Sequence, residues 1–283
     1  MKFITFLTLL ISLNSWACDG GLATTKNQIN IPVRSPLAGE MTEQQYKSIL
    51  GHFQNFFLPM IDRDHNAELI VINSWASNAV NAFADQRPGK MIIQVYGGLA
   101  RHRQITPDGL TGVLCHELGH HLGGYPKKTG NRWSSAEGQA DYYTTMKCLR
   151  RIWEKTNNLA ITASLSVPLV LRNECARTYP TAESRALCHR MGMAGHSVSL
   201  MLQELDQDSI EPKFETPDRQ MVTAMNYLHP YSQCRLDTFF QGAVCPVSQV
   251  AEFDNNDEAQ GACHPRNGDS RGLRPGCWFL TRR

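Results

Sequence analysis

His116 and His120 stand four residues apart and flank Glu117 in the run His116-Glu117-Leu118-Gly119-His120. On an α-helix, residues i and i+4 lie one above the other on the same face. Two imidazoles so placed can share one Zn²⁺ at about 2.0–2.1 Å each. Glu117 sits next to that face and can take a proton from a water that the metal activates. Two ligands leave the set open, because a catalytic zinc takes three protein ligands and keeps one position for water or substrate.

Glu137-Gly138-Gln139-Ala140-Asp141 can complete the set. Glu137, on the next helix, is the candidate third ligand. Asp141 falls one turn later on the same face. There it can accept a hydrogen bond from the outer nitrogen of a zinc histidine and fix its tautomer. The bland reading has Glu137 closing a capping box with Ser134 and Asp141 as a solvated helix acid; beside the His-Glu-x-x-His run, the metal reading is preferred. His121 points about 100° away from His120 on a helix and reads as a supporting or core-facing residue. Cys115, off the ligand face, reads as a small buried packing residue. Peptide hydrolysis also needs a donor for the tetrahedral oxyanion. His229, its backbone fixed by Pro230, is the best candidate, with Arg235 about two helical turns later.

The elements that would carry these residues are legible in outline. Asp19 to Gly39 is polar with two prolines and reads as an extended arm. Thr42 and Gln45 form a capping-box pattern ahead of Tyr46, Ile49, Leu50, Phe53 and Phe57 at helical spacing. Glu68–Asn73 and Met91–Tyr96 are β-branched runs and read as strands. Thr106-Pro107 is an N-cap with proline at the first helical position. Leu110, Val113, Leu114 and Leu118 form an apolar stripe, and Gly123-Gly124 ends the helix. A polar loop follows, then a helix from Ser134-Ser135 through Leu149. Further helices are expected over Thr181–Leu205, Pro217–Leu228 and Ser232–Phe240. From Gln241 the tail is rich in Gly, Pro, Asp and Asn.

The N-terminus begins Met1-Lys2 and is apolar from Phe3 to Leu13, with Ser15 and Ala17 at signal-peptidase spacing. We read residues 1–17 as a secretory signal peptide. Lipid anchoring through Cys18 is disfavoured, since Ser15-Trp16-Ala17 is a poor lipobox. Ala160–Leu171 is too short for a membrane span and contains Pro168. The expected location is periplasmic or secreted. A formal net charge of +2, with both signs mixed along the chain, argues against nucleic acid as a partner. The chain has nine cysteines, which suits an oxidising compartment. Setting Cys115 aside leaves enough for four disulfides. Connectivity cannot be read from sequence; Cys175/Cys188, Cys234/Cys245 and Cys263/Cys277 are the near-neighbour guesses.

Taken together, these blocks resemble the M48 family of zinc metallopeptidases, within the gluzincins. The matching residues are Asn81-Ala82-Phe83-Ala84, Met91–Tyr96 with Gly98-Leu99, Gly112–His120, Glu137–Asp141, and His229-Pro230 followed by Arg235, in the family's order. The resemblance implies an α+β, mainly helical zincin-like fold with a small β-sheet whose edge strand flanks the active-site helix; Met91–Tyr96 is the strand expected at that edge. It implies one Zn²⁺ held by His116, His120 and Glu137, and Glu117 as general base. It implies His229 on the oxyanion or in the open metal position, with Asp141 and Arg235 supporting site or substrate. The expected layout is a signal peptide (1–17), an M48-like domain (18–245) and a disulfide-rich C-terminal extension (246–283). Protein or peptide substrates are the expected partners, with a role in envelope protein quality control. The alternative is a zinc-containing envelope chaperone or assembly factor with weak or gated proteolysis, its partners being envelope-assembly clients. A third reading is an exopeptidase that trims small peptides. The family's pattern is not followed everywhere: Cys115 replaces a small residue, the interval from His120 to Glu137 is short, and the cysteine-rich tail has no counterpart.

Overall fold

The computed structural model describes residues 21–24 and 27–281. The expected signal peptide, residues 1–17, and Cys18 lie outside the described residues.

Helix α1 (Glu43–His65) opens on the expected capping box, with Gln45 N–H donating to Thr42 Oγ1 and Thr42 N–H donating to Gln45 Oε1. Its buried stripe is Tyr46, Leu50, Phe53, Phe57 and Ile61, all at helical spacing. That stripe packs on a three-stranded sheet made of β1 (Glu68–Ser74), β2 (Ala82–Arg87) and β3 (Lys90–Tyr96). The Tyr46 hydroxyl donates to the Val95 carbonyl at 2.6 Å and ties helix to sheet.

The strand order is β1-β3-β2, with β1 parallel to β3 and β2 antiparallel to it. Met91–Tyr96 is therefore the central strand and not the edge. Its near-continuous run of buried residues is what a strand with two neighbours requires. The edge beside the helix that carries His116 and His120 is β2, whose burial fades from Ala82 to an exposed Gln86 and Arg87.

After a short α2 (Gly97–Ala100), α3 (Pro107–Leu122) is the centre of the molecule. Thr106 caps it through Gly109 N–H at 3.0 Å. All its residues from Gly109 to His120 are buried, between the sheet, α1 and two later helices, Glu137–Tyr143 and Ala182–Asp206. A helix so enclosed can present His116 and His120 only to its neighbours.

The polar loop expected after α3 is a two-stranded hairpin, β4 (Lys127–Lys128) with β5 (Asn131–Ser135). It leads into α4 (Glu137–Tyr143), whose N-cap is Ala136. The helix starts two residues later than Ser135 and carries no capping box with Ser134. A π-helical turn (Thr144–Cys148) and α5 (Leu149–Trp153) continue it. Then come α6 (Asn158–Thr162), α7 (Leu169–Thr178), α8 (Ala182–Asp206) and α9 (Ser232–Ala243).

Pro217–Leu228 is not a helix. Its amides bond outward instead, Val222 N–H to Gly276 O and Asn226 N–H to Trp278 O, each at 2.9 Å.

Four disulfides brace this frame: Cys115–Cys148, Cys175–Cys188, Cys234–Cys277 and Cys245–Cys263. Cys115 is thus a cross-link between α3 and the π-turn and not a free packing thiol. Of the guessed pairs only Cys175/Cys188 forms. The tail is bound closely to α4 and the end of α3. Trp278 is fully buried. Arg274 Nε donates to Gln139 Oε1 at 2.7 Å, and Gln139 Nε2 donates to the Gly123 carbonyl at 2.6 Å. The tail thereby fixes α4 against the end of α3.

Candidate metal centre

Helices α3 and α4 meet at Gly119 and Ala140. A Cβ on Gly119 would lie 2.9 Å from both the Cα and the carbonyl oxygen of Ala140, so this crossing demands glycine. The close approach brings Glu137 under the two histidines. His116 Nε2 is 3.3 Å from Glu137 Oε2, and His120 Nε2 is 3.7 Å from Glu137 Oε1. One donor atom from each of the three residues lies within 4.8 Å of the other two. All three side chains are fully buried.

The outer nitrogens are held as a metal site needs. His116 Nδ1–H donates to Asp141 Oδ1 at 2.7 Å, and His120 Nδ1–H donates to the Ser135 carbonyl at 2.9 Å. This tautomer leaves each Nε2 lone pair facing Glu137. Asp141 is held in turn by Arg235, whose Nε and Nη2 each donate to a different carboxylate oxygen at 2.8 Å. Arg235 Nη1 donates to the Leu22 carbonyl at 3.1 Å.

The carboxylates draw positive charge into the pocket. Three buried carboxylates, Glu117, Glu137 and Asp141, share the pocket with two bases, Lys128 and Arg235. Burial alone would lower the His116 imidazole, but Asp141 and Glu137 outweigh it and raise the group to about 9. Burial drives the His120 imidazole well below its usual range. Burial would raise Glu137, yet the charges of His229, Lys128 and His120 hold it well below the usual carboxylate range. The same contest at Asp141 is won by Arg235 and His116, and its carboxyl is lowered. Burial pushes Glu117 up to about 7. His116 Nε2 and both Glu117 carboxylate oxygens are buried without a hydrogen-bond partner. Such atoms are costly to leave unsatisfied. A divalent ion with its water is the occupant that this donor set fits.

His229 lies beside the trio but outside it. Its Nε2 is 3.4 Å from Glu137 Oε2 and donates to the Gly21 carbonyl at 2.9 Å. Burial lowers its imidazole below the usual range. His121 points away as expected and stacks on Trp133, ring centroids 4.8 Å apart.

Three contacts escape sequence reasoning. Lys128 Nζ reaches Glu137 Oε1 at 2.7 Å from the hairpin. The Ser135 carbonyl orients His120 through its backbone, which leaves no side-chain signature. Gly21 O meets His229 across 208 positions. Only Lys128, a cation in the short interval between His120 and Glu137, left a signal that could have been weighed.

The profile of peptidase family M48 matches residues 59–186. The stretch takes in His116–His120 and Glu137–Asp141 and stops short of His229 and Arg235. Comparison with curated proteins and with solved structures gives no match. The matched stretch holds the sheet, the buried His-Glu-x-x-His helix and the helix that brings Glu137 to it, and this domain, residues 59–186, belongs to peptidase family M48, a family of metal-dependent peptidases.

Proposed function

We propose that the chain is an exported zinc-dependent metalloendopeptidase, acting on protein substrates in envelope quality control. The observation that carries this reading is the grouping of His116, His120 and Glu137 donor atoms within 4.8 Å, with the Glu117 carboxylate buried beside them. Two imidazoles and one carboxylate are a common catalytic zinc set. Bound there, zinc would supply Lewis acidity, polarising the scissile carbonyl and making water a nucleophile near neutral pH.

The chain's own residues do the rest. Glu117 takes the proton from the attacking water, holds it, and passes it to the leaving amine. Asp141 and the Ser135 carbonyl keep the two imidazoles in the tautomer that points Nε2 inward. Arg235 holds Asp141 ionised and oriented. His229 Nε2–H, at the margin of the trio, donates to the oxyanion. The edge strand β2 offers main-chain groups to an extended substrate, which favours cleavage within a chain. The four disulfides support folding in an oxidising compartment.

A casein and peptide-library digest tests the reading, using protein stripped by chelator and then given one equivalent of zinc. Internal cleavage that disappears with the metal and returns with it is expected. Trimming confined to termini would replace the endopeptidase by an exopeptidase. Intact substrates after zinc loading would contradict the proposal.

A further inference from the structure

His229 and Arg235, beside the candidate ligands, are in contact with another piece of the same chain. The Gly21 carbonyl accepts the His229 Nε2–H. Leu22 N–H donates to the Ala82 carbonyl, at the start of the edge strand β2, at 2.9 Å. The Leu22 carbonyl accepts from Arg235. Ala23 N–H donates to Asn81 Oδ1 at 3.2 Å. Further on, Asn30 bridges Ala79 in the antiparallel sense. The segment thus meets the approach to β2 in antiparallel order, Leu22 at Ala82 and Asn30 at Ala79. Its first main-chain groups are taken by the edge strand and by His229 and Arg235. The backbone turns at Gly21 and Leu22, so the contact is a turn set against the sheet edge and not an added strand.

The fit is close. Gly21 has φ +83, and a Cβ there would stand 2.4 Å from the Ala82 carbonyl oxygen and 2.6 Å from the Phe83 ring. Leu22 and Ala23 are fully buried. Thr24 fastens the segment, its N–H and hydroxyl both donating to Asp206 Oδ1, at 3.3 and 2.7 Å, at the end of α8.

We propose that Gly21–Ala23 is an inhibitory occupant held in cis, and that a peptide engages His229 only once this segment has left. The proposal rests on the peptidase reading. Nε2 carries one hydrogen, and while the Gly21 carbonyl accepts it, a developing oxyanion cannot. An incoming peptide must also refill the buried position of Leu22. The favoured clients are therefore extended chains with an accessible leucine-like side chain, as in unfolded or unassembled proteins.

Two substitutions loosen the segment without touching the ligand set: Thr24→Val removes the hydroxyl fastening, and Gly21→Ala sets a methyl group against Ala82. With zinc content matched to the unaltered protein, kcat/KM on a quenched leucine-containing peptide should rise about tenfold if the closed form holds roughly nine-tenths of the molecules. A synthetic Asp-Gly-Gly-Leu-Ala-Thr peptide should inhibit both variants competitively. A readout that needs neither turnover nor substitution is hydrogen exchange at the Leu22 and Ala23 amides of the zinc-loaded protein. A peptide hydroxamate should raise it. Active variants no faster than the unaltered protein, with exchange unchanged by bound hydroxamate, overturn the inference and leave the peptidase reading standing. No hydrolysis by any form and no hydroxamate binding overturn both.

Discussion

Asp141 and Arg235, 94 residues apart in sequence, form a fully buried bidentate ion pair with both contacts at 2.8 Å. The same carboxylate accepts the His116 Nδ1–H. One acid thus couples a candidate ligand on α3 to a cation on α9. Arg235→Leu strands that acid, and loss of one partner from a buried pair costs about 3–5 kcal/mol. Urea unfolding with disulfides intact should read this loss, with Arg235→Lys recovering part of it. A loss below about 1 kcal/mol on that scale would mean that Asp141 is satisfied without Arg235.

Asp141→Asn keeps the shape and removes the charge behind His116. Metal affinity should fall about 10–100-fold, the usual cost of losing such an outer partner. Competition against a chromophoric chelator measures it. Unchanged affinity would assign Asp141 to fold stability alone.

How far the site could be read from sequence depends on how local its determinants are. His116 and His120 were legible because i, i+4 spacing with an N-cap and an apolar stripe fixes both helix and face. Glu137 and Asp141 were legible from their i, i+4 spacing alone, since α4 has no side-chain cap. The hairpin was not, because strands of two and five residues carry no period to detect. The central place of β3 was written in its continuous apolar run, which an edge strand open to solvent would not need. Pro217–Leu228 suggested a helix, but Gly276 and Trp278 supply the carbonyls its amides use, and such distant partners have no local signature. The disulfides with Cys148 and Cys277 close loops of 33 and 43 residues, beyond any spacing rule.

The Cys115–Cys148 bridge encloses the hairpin and Glu137, and joins α3 to the turn that follows α4. Replacing both cysteines by alanine should lower stability by about 2–4 kcal/mol. It should also weaken metal binding, since the bridge holds the two ligand-bearing helices in register. Calorimetry and chelator competition on the double variant test both halves. A stability loss with metal affinity intact would confine the bridge to the scaffold.

Lys147 gives the fold a pH dependence of definite sign. Its ammonium is buried, donates to the Ser248 carbonyl at 2.7 Å and lies 4.9 Å from the Phe253 ring centre. Burial lowers its pKa from 10.5 to about 7. Above pH 7 the folded protein has released this proton while the unfolded chain still holds it, so stability rises with pH up to the unfolded pKa. One such group contributes a slope of up to about 1.4 kcal/mol per pH unit. Denaturant midpoints at pH 7, 8 and 9 should show this slope reduced in Lys147→Met. Parallel pH profiles for the two proteins would contradict the assignment.

The most direct test of the central claim is hydrolysis by Glu117→Gln at matched zinc content. Glutamine keeps the volume and loses the base, and neither carboxylate oxygen of Glu117 makes a hydrogen bond that the change would break. The account predicts one zinc per chain, an unchanged melting curve, and cleavage reduced by about 10²–10⁴-fold. Undiminished cleavage by this variant would contradict it.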